Sequence, residues 1–341
     1  MGDYNLLYQT FLALVSYSKG QDLYLVKALS VVFDFVLAIA SACMVTEMTG
    51  GRRFGRKFLA VYTVVLSLPT VVLNSAYWGQ CDSIYAAFVI LSMLSLYRER
   101  YVRAFLFLGL ALACKLQAIF ILPFMVSYYF CTKRFSIAHF GIAVLAFWAS
   151  GIVAYLYGRE IWAAFSIYFT QAGEYKQMYL NVASFWVLVG NDYAEMHTLA
   201  IGLTLMLFAL GLYSLLKMRR KLGDPLSQLQ AAAWYLWVCV LFLPAMHERY
   251  TYLVDIVLVL LSFLDRKYAR YALISCVLSA MTYGKYMFGS GELDKPLVLL
   301  YVAAFAHYTY TIARPASAVA APQKEENHAE HTNSDDCGTL L

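Results

Sequence analysis

The chain has 341 residues, of which 62% are hydrophobic and only 14% are charged, and its formal net charge is +5 at pH 7. A soluble domain carries about a quarter charged residues, so the composition excludes a soluble globular protein and predicts a polytopic membrane protein. The seven cysteines are scattered and predict neither a disulfide framework nor a paired metal motif. We expect the lipid bilayer as the main surroundings and no nucleic acid as a partner.

The first eighteen residues predict an amphipathic helix that lies in the membrane interface. The segment is too short to span a bilayer, and it lacks the basic flank and the cleavage site of a signal peptide. Its apolar residues recur near helical spacing, namely Leu6, Leu7, Phe11, Leu14 and Val15.

Ten apolar stretches follow in chain order. They lie at residues 22–47, 58–76, 84–97, 104–130, 135–157, 196–217, 228–245, 251–265, 268–287 and 296–313. Clusters of Lys and Arg separate many of them, at 52–57, 98–103, 133–134, 217–221 and 266–270. Short loops rich in Lys and Arg stay in the cytoplasm, so we place all five clusters inside.

This placement requires single crossings everywhere except at 104–130, which begins and ends beside cytoplasmic clusters. We therefore expect two short helices there, with a break near Lys115–Gln117. The backbone polar groups at the break must be hydrogen-bonded by protein or by water in a cavity. The fold class becomes all-α, with about eleven transmembrane helices, an outer N-terminus and a cytoplasmic C-terminus. Because an outer N-terminus without a signal is awkward to insert, we expect a further helix upstream of Met1.

Two regions are expected to lie outside the crossings. Residues 158–195 form a long outer loop whose amphipathic aromatic composition predicts one or two helices along the membrane surface. Residues 315–341 are polar and poor in aromatic residues, which predicts a disordered cytoplasmic tail. The membrane domain therefore covers residues 1–314, and we expect it in the plasma (inner) membrane.

Unusual polar and aromatic residues gather on the predicted outer side, whereas the inner loops carry little besides basic residues. The candidates for the site are Asp3, Trp78, Gln80, Asp82, Lys115, Gln117, Tyr175, Asn181, His247, Glu248, Arg249 and Tyr250. This asymmetry predicts an active cavity that faces outward.

Intramembrane charges are costly and indicate function by default. Lys115 stands at the predicted helix break beside Gln117, and the alternative is a lysine that extends to the membrane interface. Lys27 and Asp34 lie two helical turns apart, which fits either a buried ion pair or structural packing between helices. Asp82 either caps a helix that begins at Ser83 or belongs to the site.

The run from His247 to Tyr250 combines an imidazole, a carboxylate and an arginine. Arginine binds phosphate in bidentate fashion, so Arg249 suits an anionic lipid phosphate in a wet outer cavity. The alternative is an interfacial anchor of charged and aromatic residues.

Several of these motifs together resemble a known family. Asn74-Ser75 with the run 78–83, Lys115–Gln117 ahead of Pro123, residues 175–186 and the run 247–250 resemble bacterial relatives of the second mannosyltransferase of GPI-anchor assembly. Those proteins belong to the C-type superfamily of integral membrane glycosyltransferases. The motifs are spread over residues 3–252 in the expected order.

The resemblance implies a polyprenyl-phosphate-linked sugar donor, a glycan or glycolipid acceptor and an inverting transfer of a hexose in the outer cavity. Trp78, Gln80, Lys115, Gln117, Tyr175, Asn181 and the run 247–250 are then expected to bind the donor or substrate. The family places its base Asp in the first outer loop, and Asp3-Tyr4-Asn5 resembles a later part of that loop. The usual base is therefore expected upstream of Met1, and otherwise Asp3 or Asp82 takes its role.

Two other functions compete with this interpretation. The first is a transporter or flippase of lipid-linked glycans, which favours internal repeats and broken helices near the midplane. We find no convincing repeat in the sequence. The second is a catalytically inactive scaffold subunit. No cofactor is evident and no His/Cys/Asp cluster has metal-ligand spacing, while a requirement for a divalent metal stays open.

Overall fold

The structure, a computed structural model, describes residues 4–18, 20–217, 222, 224–289 and 295–313. These residues form sixteen α-helices, a π-helix, two 3₁₀-helices and one sheet of two short strands. The predicted all-α fold class is therefore confirmed. Asp3 and the predicted cytoplasmic tail, residues 315–341, lie outside the described residues.

The first half of the chain is helical throughout. Its elements are α1 (Leu6–Val15), α2 (Asp22–Met48), α3 (Arg56–Leu66), α4 (Pro69–Val72), a π-helix (Leu73–Trp78), α5 (Asp82–Tyr97), α6 (Tyr101–Cys114), a 3₁₀-helix (Leu116–Ile121), α7 (Leu122–Thr132), α8 (Ala138–Ala149) and α9 (Ile152–Leu156).

The second half adds the sheet and four long helices. Its elements are α10 (Ala163–Ala172), β1 (Tyr179–Leu180), α11 (Trp186–Val189), α12 (Tyr193–Lys217), α13 (Pro225–Phe242), β2 (Met246–His247), α14 (Tyr252–Leu264), a 3₁₀-helix (Arg266–Tyr268), α15 (Ala269–Phe288) and α16 (Lys295–Ala313).

Four of the described helices are long and apolar enough to cross a membrane: α2, α12, α13 and α16. The pair formed by α3 and the segment Pro69–Trp78 makes a fifth if its bend of 52° lies within one span. Each of the ten apolar stretches carries a helix, but α14, at 13 residues, reaches only about 20 Å. The count of about eleven crossings stays a prediction.

The bend after α3 differs from the straight crossing expected over 58–76. Pro69 lacks a backbone N–H and disfavours the helical conformation of the residue before it. Leu68 accordingly has extended dihedral angles (φ −61°, ψ 129°). The following π-helix then ends at Gly79 in the left-handed region (φ 81°), so the chain turns sharply into α5.

The break predicted at Lys115–Gln117 is confirmed. Helix α6 ends at Cys114, Lys115 is fully extended (φ −157°, ψ 139°), and a 3₁₀-helix follows. The extended residue turns the Lys115 side chain into the bundle, where it is 5% exposed. The break therefore places a cation inside the protein.

Helices are present where the surface helices were expected, as α1 in the N-terminal segment and α10 and α11 in the loop 158–195, and their position along the membrane surface stays a prediction. That loop is held against the bundle by the sheet, because β1 pairs in parallel with β2 and Leu180 lies opposite His247. The backbone N–H of Ala245 also donates to the Gln177 carbonyl at 3.1 Å. The loop is thus fixed beside the run 247–250.

Candidate active site

The centre of the site is a buried ion pair at the start of α5. Lys115 Nζ donates to Asp82 Oδ1, and Asn74 Nδ2 donates to Asp82 Oδ2 at 2.5 Å. Asp82 is 1% exposed, and its backbone N–H donates to Asn74 Oδ1 at 3.3 Å. The π-helix, the start of α5 and the break after α6 therefore meet at one carboxylate.

The alternative that Asp82 caps its helix is wrong. Helix α5 begins at Asp82 itself, Cys81 is the N-cap residue, and the cap has no side-chain hydrogen bond. Both carboxylate oxygens point instead to Lys115 and Asn74. Removing one partner of a buried ion pair leaves an uncompensated charge and typically costs about 3–5 kcal/mol. Asp82 and Lys115 therefore stabilise each other.

Arg249 lies over an aromatic layer beside this pair. Its guanidinium carbon is 5.3 Å from the centre of the Trp78 ring. Trp78 in turn stacks on Tyr286 at 4.6 Å and meets the edge of Tyr283 at 5.9 Å. The Tyr283 hydroxyl accepts from Asn74 Nδ2 at 2.9 Å, so the aromatic layer connects Arg249 to the residues around Asp82.

The Nε atom of Arg249 is buried and has no hydrogen-bond partner among the described residues. The negative charges of Asp82 and Glu248 act on the Arg249 guanidinium and favour its charged form. A buried donor without a partner costs about 1–3 kcal/mol, and more when it is charged. An anionic ligand at this position would relieve that cost.

His247 and Glu248 lie within electrostatic reach of the Asp82–Lys115 pair. The His247 ring meets the edge of Tyr175 at 4.3 Å, and its Nδ1 atom is 3.9 Å from Glu248 Oε2. Burial, together with the nearby charges of Arg249 and Lys115, lowers the pKa of His247 to about 4. The imidazole is therefore neutral at pH 7, and His247 is not the cation of the site.

Burial also raises the pKa of the Glu248 carboxyl, and the positive charges of Arg249 and Lys115 oppose that rise. A buried carboxylate with a raised pKa is a stronger base than an exposed one. Thr282 on α15 donates to the Glu248 carbonyl at 3.1 Å and holds this backbone in place. Glu248 thus has the setting of a proton acceptor.

Two further contacts complete the cluster. The Tyr250 hydroxyl interacts with the buried Gln117 side chain, and the Tyr250 ring meets Phe120 at 5.9 Å. The Tyr4 hydroxyl donates to Gln80 Oε1 at 3.1 Å. The start of the chain therefore reaches the site beside the run 78–82.

The structure brings together most residues that the sequence nominates. The clustered ones are Trp78, Gln80, Asp82, Lys115, Gln117, Tyr175, His247, Glu248, Arg249 and Tyr250. Asn181 follows β1 with a left-handed backbone (φ 50°), directly after the residue paired with His247. Their roles in binding and catalysis stay predictions, and the second catalytic candidate, Asp3, lies outside the described residues.

Of the two alternatives for Lys27 and Asp34, the buried ion pair does not form. Asp34 Oδ1 accepts from Ser75 at 2.7 Å, and no ion pair joins it to Lys27. The Lys27 side chain lies instead against Gly79. Two residues seven apart share a helix face, but here Ser75 at the π-helix is closer to the carboxylate than Lys27 is.

Sequence reasoning missed the contribution of α15 to the site. Tyr283 and Tyr286 support Trp78, yet they are two of 28 tyrosines, and most of those are expected in interfacial belts. Their spacing of three residues on one helix face was the available signal. Within the described ranges, no three His, Cys, Asp or Glu side chains lie close enough to hold a metal ion.

Comparison with known proteins identifies the family of the chain. A family model described as glycosyltransferase family 87 matches residues 7–244, which is more than half of the chain. The match includes the runs 74–83, 115–117 and 175–186 and ends just before His247. No curated protein matches the chain. The resemblance to C-type membrane glycosyltransferases is confirmed at the level of the family, and the chain belongs to glycosyltransferase family 87.

Proposed function

We propose that this membrane glycosyltransferase moves a hexose, with mannose as the first candidate, from a polyprenyl-phosphate donor to an outer glycan or glycolipid. The observation that carries the proposal is the buried Arg249 Nε, which has no hydrogen-bond partner among the described residues. It lies within electrostatic reach of Glu248 and of Asp82, the partner of Lys115. The transfer is proposed to be inverting, with one displacement at the anomeric carbon.

Arg249 supports a phosphate leaving group. As the glycosidic bond breaks, negative charge grows on the donor phosphate, and fixed cations in a water-poor site stabilise it. Trp78 holds the guanidinium plane, which leaves its N–H groups to bind two phosphate oxygens at once. Lys115 adds a second positive charge to the same site.

An apolar groove supports a polyprenyl chain on that phosphate. The groove has a volume of about 440 Å³ and lies between α7, α12 and α13, with Phe120, Val126, Leu205, Phe208 and Leu243 in its walls. Phe120 in the groove wall contacts Tyr250, the neighbour of Arg249 in the chain, so the groove adjoins the run 247–250. Helix α12 exposes apolar residues such as Leu205 and Leu210, which fits a groove open to lipid.

We propose different roles for three carboxylates, those of Asp82, Glu248 and Asp3. Asp82 is held by Lys115 and Asn74 on both oxygens, so we assign it to orienting Lys115 instead of taking a proton. The general base must reach the acceptor hydroxyl, and we propose that Glu248 or Asp3 does so. Asp3 directly precedes Tyr4, which contacts Gln80.

The test uses the full chain in lipid nanodiscs with radiolabelled polyprenyl-phosphate mannose, polyprenyl-phosphate glucose and nucleotide sugars as donors. We expect transfer to lipid extracts from one polyprenyl-phosphate donor and from no nucleotide sugar. Glu248→Gln and Asp3→Asn are compared at the same donor level, and loss of the base is expected to slow transfer about 10²–10⁴-fold. Transfer from a nucleotide sugar would contradict the proposal and favour a different donor class. The absence of transfer with every donor tested would also contradict it and favour an inactive scaffold.

A further inference from the structure

A second cavity lies beside α1 and α10 and is not used by the chemistry proposed above. Its volume is about 480 Å³. Its polar lining comes from Gln9, Arg159, Glu160, Ser166, Thr170, Gln171 and Glu174. Apart from Gln9, these residues belong to the loop after α9 or to α10 and the residues that follow it. We call this cavity the α10 cleft.

The α10 cleft is joined to the site by α1. Asn5 is 2% exposed, and its Nδ2 atom donates to the Ala164 carbonyl of α10 at 2.8 Å. Gln9 Nε2 donates to the Tyr4 carbonyl at 2.6 Å, and the Tyr4 hydroxyl reaches Gln80. One short helix therefore borders both the cleft and the run that leads to Asp82.

The other end of the cleft also adjoins the site. Glu174 lines the cleft, and the next residue, Tyr175, meets the His247 ring at 4.3 Å. The lining of the cleft is therefore one residue along the chain from a residue that contacts His247.

The chemistry of the lining fits the hydroxyl groups of a sugar. Sugar hydroxyls donate and accept hydrogen bonds, and the lining offers a guanidinium donor, two carboxylate acceptors and amides that do both. Gln171 Oε1 is buried and has no partner among the described residues. Glu160 and Glu174 outnumber Arg159, which disfavours a phosphate in the cleft, and the polar lining disfavours a lipid chain.

Exposed aromatic residues adjoin the lining residues Gly158, Ala163 and Thr170 in the sequence. Tyr157 is 88% exposed, Trp162 is 66% exposed and Phe169 is 80% exposed. Aromatic residues of this kind sit at the boundary between membrane and water. A ligand in the cleft is therefore well placed to keep a lipid anchor in the adjacent bilayer.

From these observations we infer that the α10 cleft binds the uncharged sugar head group of a glycolipid acceptor. The proposed function is needed only to name this ligand as the acceptor of the transfer. Binding of a glycolipid head group to the cleft is a separate property with its own test.

The binding test is protection of a cysteine from labelling. Ser166 is exposed on α10 and lines the cleft, so Ser166→Cys should react with a water-soluble maleimide in nanodiscs. Octyl mannoside, octyl glucoside and octyl galactoside are added below their micelle concentrations, and octyl triethylene glycol is the control with the same chain and no sugar. Ser136→Cys, on an exposed turn before α8, is the matched control position.

We expect at least one glycoside to slow the labelling of Ser166→Cys at least fivefold and saturably, with no effect of the glycol ether and none at Ser136→Cys. Equal protection by the ether and the glycosides would overturn the inference, because it would show a site for alkyl chains. Protection by none of the three glycosides would overturn it as well.

The kinetic test separates this inference from the proposed function. Gln171→Leu is expected to raise the acceptor KM about tenfold while kcat and the donor KM stay within twofold, and Gln21→Leu, on an exposed residue before α2, should change none of them. An unchanged acceptor KM in Gln171→Leu would contradict the inference and leave the transfer reaction standing. If the wild type transfers nothing, the proposed function fails and the labelling result alone decides the cleft.

Discussion

At the scale of single residues, the site depends on buried charges whose partners are few. Asp82 is held by Lys115 and Asn74, whereas Arg249 has an aromatic partner and an Nε atom without a hydrogen bond among the described residues. Such an arrangement is costly in the absence of a ligand. We interpret that cost as the consequence of a site prepared for an anion.

The Asp82–Lys115 pair leads to a prediction about stability. Asp82→Asn leaves the Lys115 charge buried without a counter-charge, so we expect a loss of about 3–5 kcal/mol in the free energy of unfolding. The double variant Asp82→Asn/Lys115→Met should recover much of that loss, since it buries no charge at either position. Thermal unfolding in detergent measures both.

Glu47→Gln is the matched control for this prediction, because it breaks the half-exposed Arg98–Glu47 pair at a cost of about 0–1 kcal/mol. A single variant Asp82→Asn as stable as the wild type would show that the buried pair is not formed in the protein.

His247 leads to a prediction about pH. Its pKa is about 4 in the folded protein against an ordinary value of 6.5. As the pH falls below 6.5, the unfolded chain takes up a proton that the folded protein refuses, so stability is lost between pH 6.5 and 4. By pH 5 the resulting loss in the free energy of unfolding amounts to about 2 kcal/mol.

We expect His247→Gln to lose less stability than the wild type when thermal unfolding is compared at pH 7.5 and pH 5. Glu248, Arg249 and Lys115 remain in both proteins, so their contributions largely cancel in the comparison. The same loss in both proteins would mean that His247 titrates normally.

At the scale of elements, the helices were predictable from hydropathy, but their local breaks were only partly so. The break at Lys115 followed from charge topology, because 27 residues had to leave and return between two basic clusters. The bend at Leu68 and the π-helix after it were missed, since Pro69 and the polar run 74–80 fell inside or beside one apolar stretch. The contribution of α15 was also missed, because aromatic residues are too common here to single out.

The contact between α6 and α8 leads to a prediction about packing. A Cβ atom on Gly109 would lie 2.4 Å from the Ala143 carbonyl oxygen and 2.7 Å from the Ala146 Cβ, so the two helices approach through this glycine. We expect Gly109→Ala to lower the thermal unfolding temperature by several degrees, as overpacking costs about 1–3 kcal/mol.

Gly141→Ala, on α8, is the matched control, because a Cβ atom there would meet nothing within 4 Å. Replacing glycine by alanine within a helix favours the helix by about 1 kcal/mol, so Gly141→Ala should be neutral or stabilising. If Gly109→Ala and Gly141→Ala unfold at the same temperature, the close packing of α6 and α8 is contradicted.

At the scale of the whole molecule, we predict that the basic clusters lie on one side of the membrane and the site on the other. The described structure gathers the polar run 74–82, the loop around Tyr175 and the run 247–250 at one site. Because these segments come from distant parts of the chain, their meeting point was predictable from sequence only through topology. Their mutual geometry was not predictable in that way.

The topology itself is testable with single cysteines. Cysteines at Arg52, Arg100, Lys133, Arg220 and Lys267 should be shielded from an impermeant maleimide in intact cells, and cysteines at Trp78 and at the exposed Lys176 should react. The physical reason is the retention of short basic loops in the cytoplasm. Labelling of Lys176→Cys only after the membrane is opened would place the site on the cytoplasmic side.

We propose that Arg249 receives the phosphate of a polyprenyl-linked donor, and equilibrium binding of radiolabelled polyprenyl phosphate to the full chain in nanodiscs tests this role. We predict saturable binding to the wild type, a loss of affinity of at least tenfold in Arg249→Ala, and a smaller loss in Arg249→Lys, because lysine keeps the charge but not the bidentate geometry. Arg134→Ala, which removes an exposed arginine paired with Glu99, should bind like the wild type. Equal affinity of the wild type and Arg249→Ala for polyprenyl phosphate would contradict the claim.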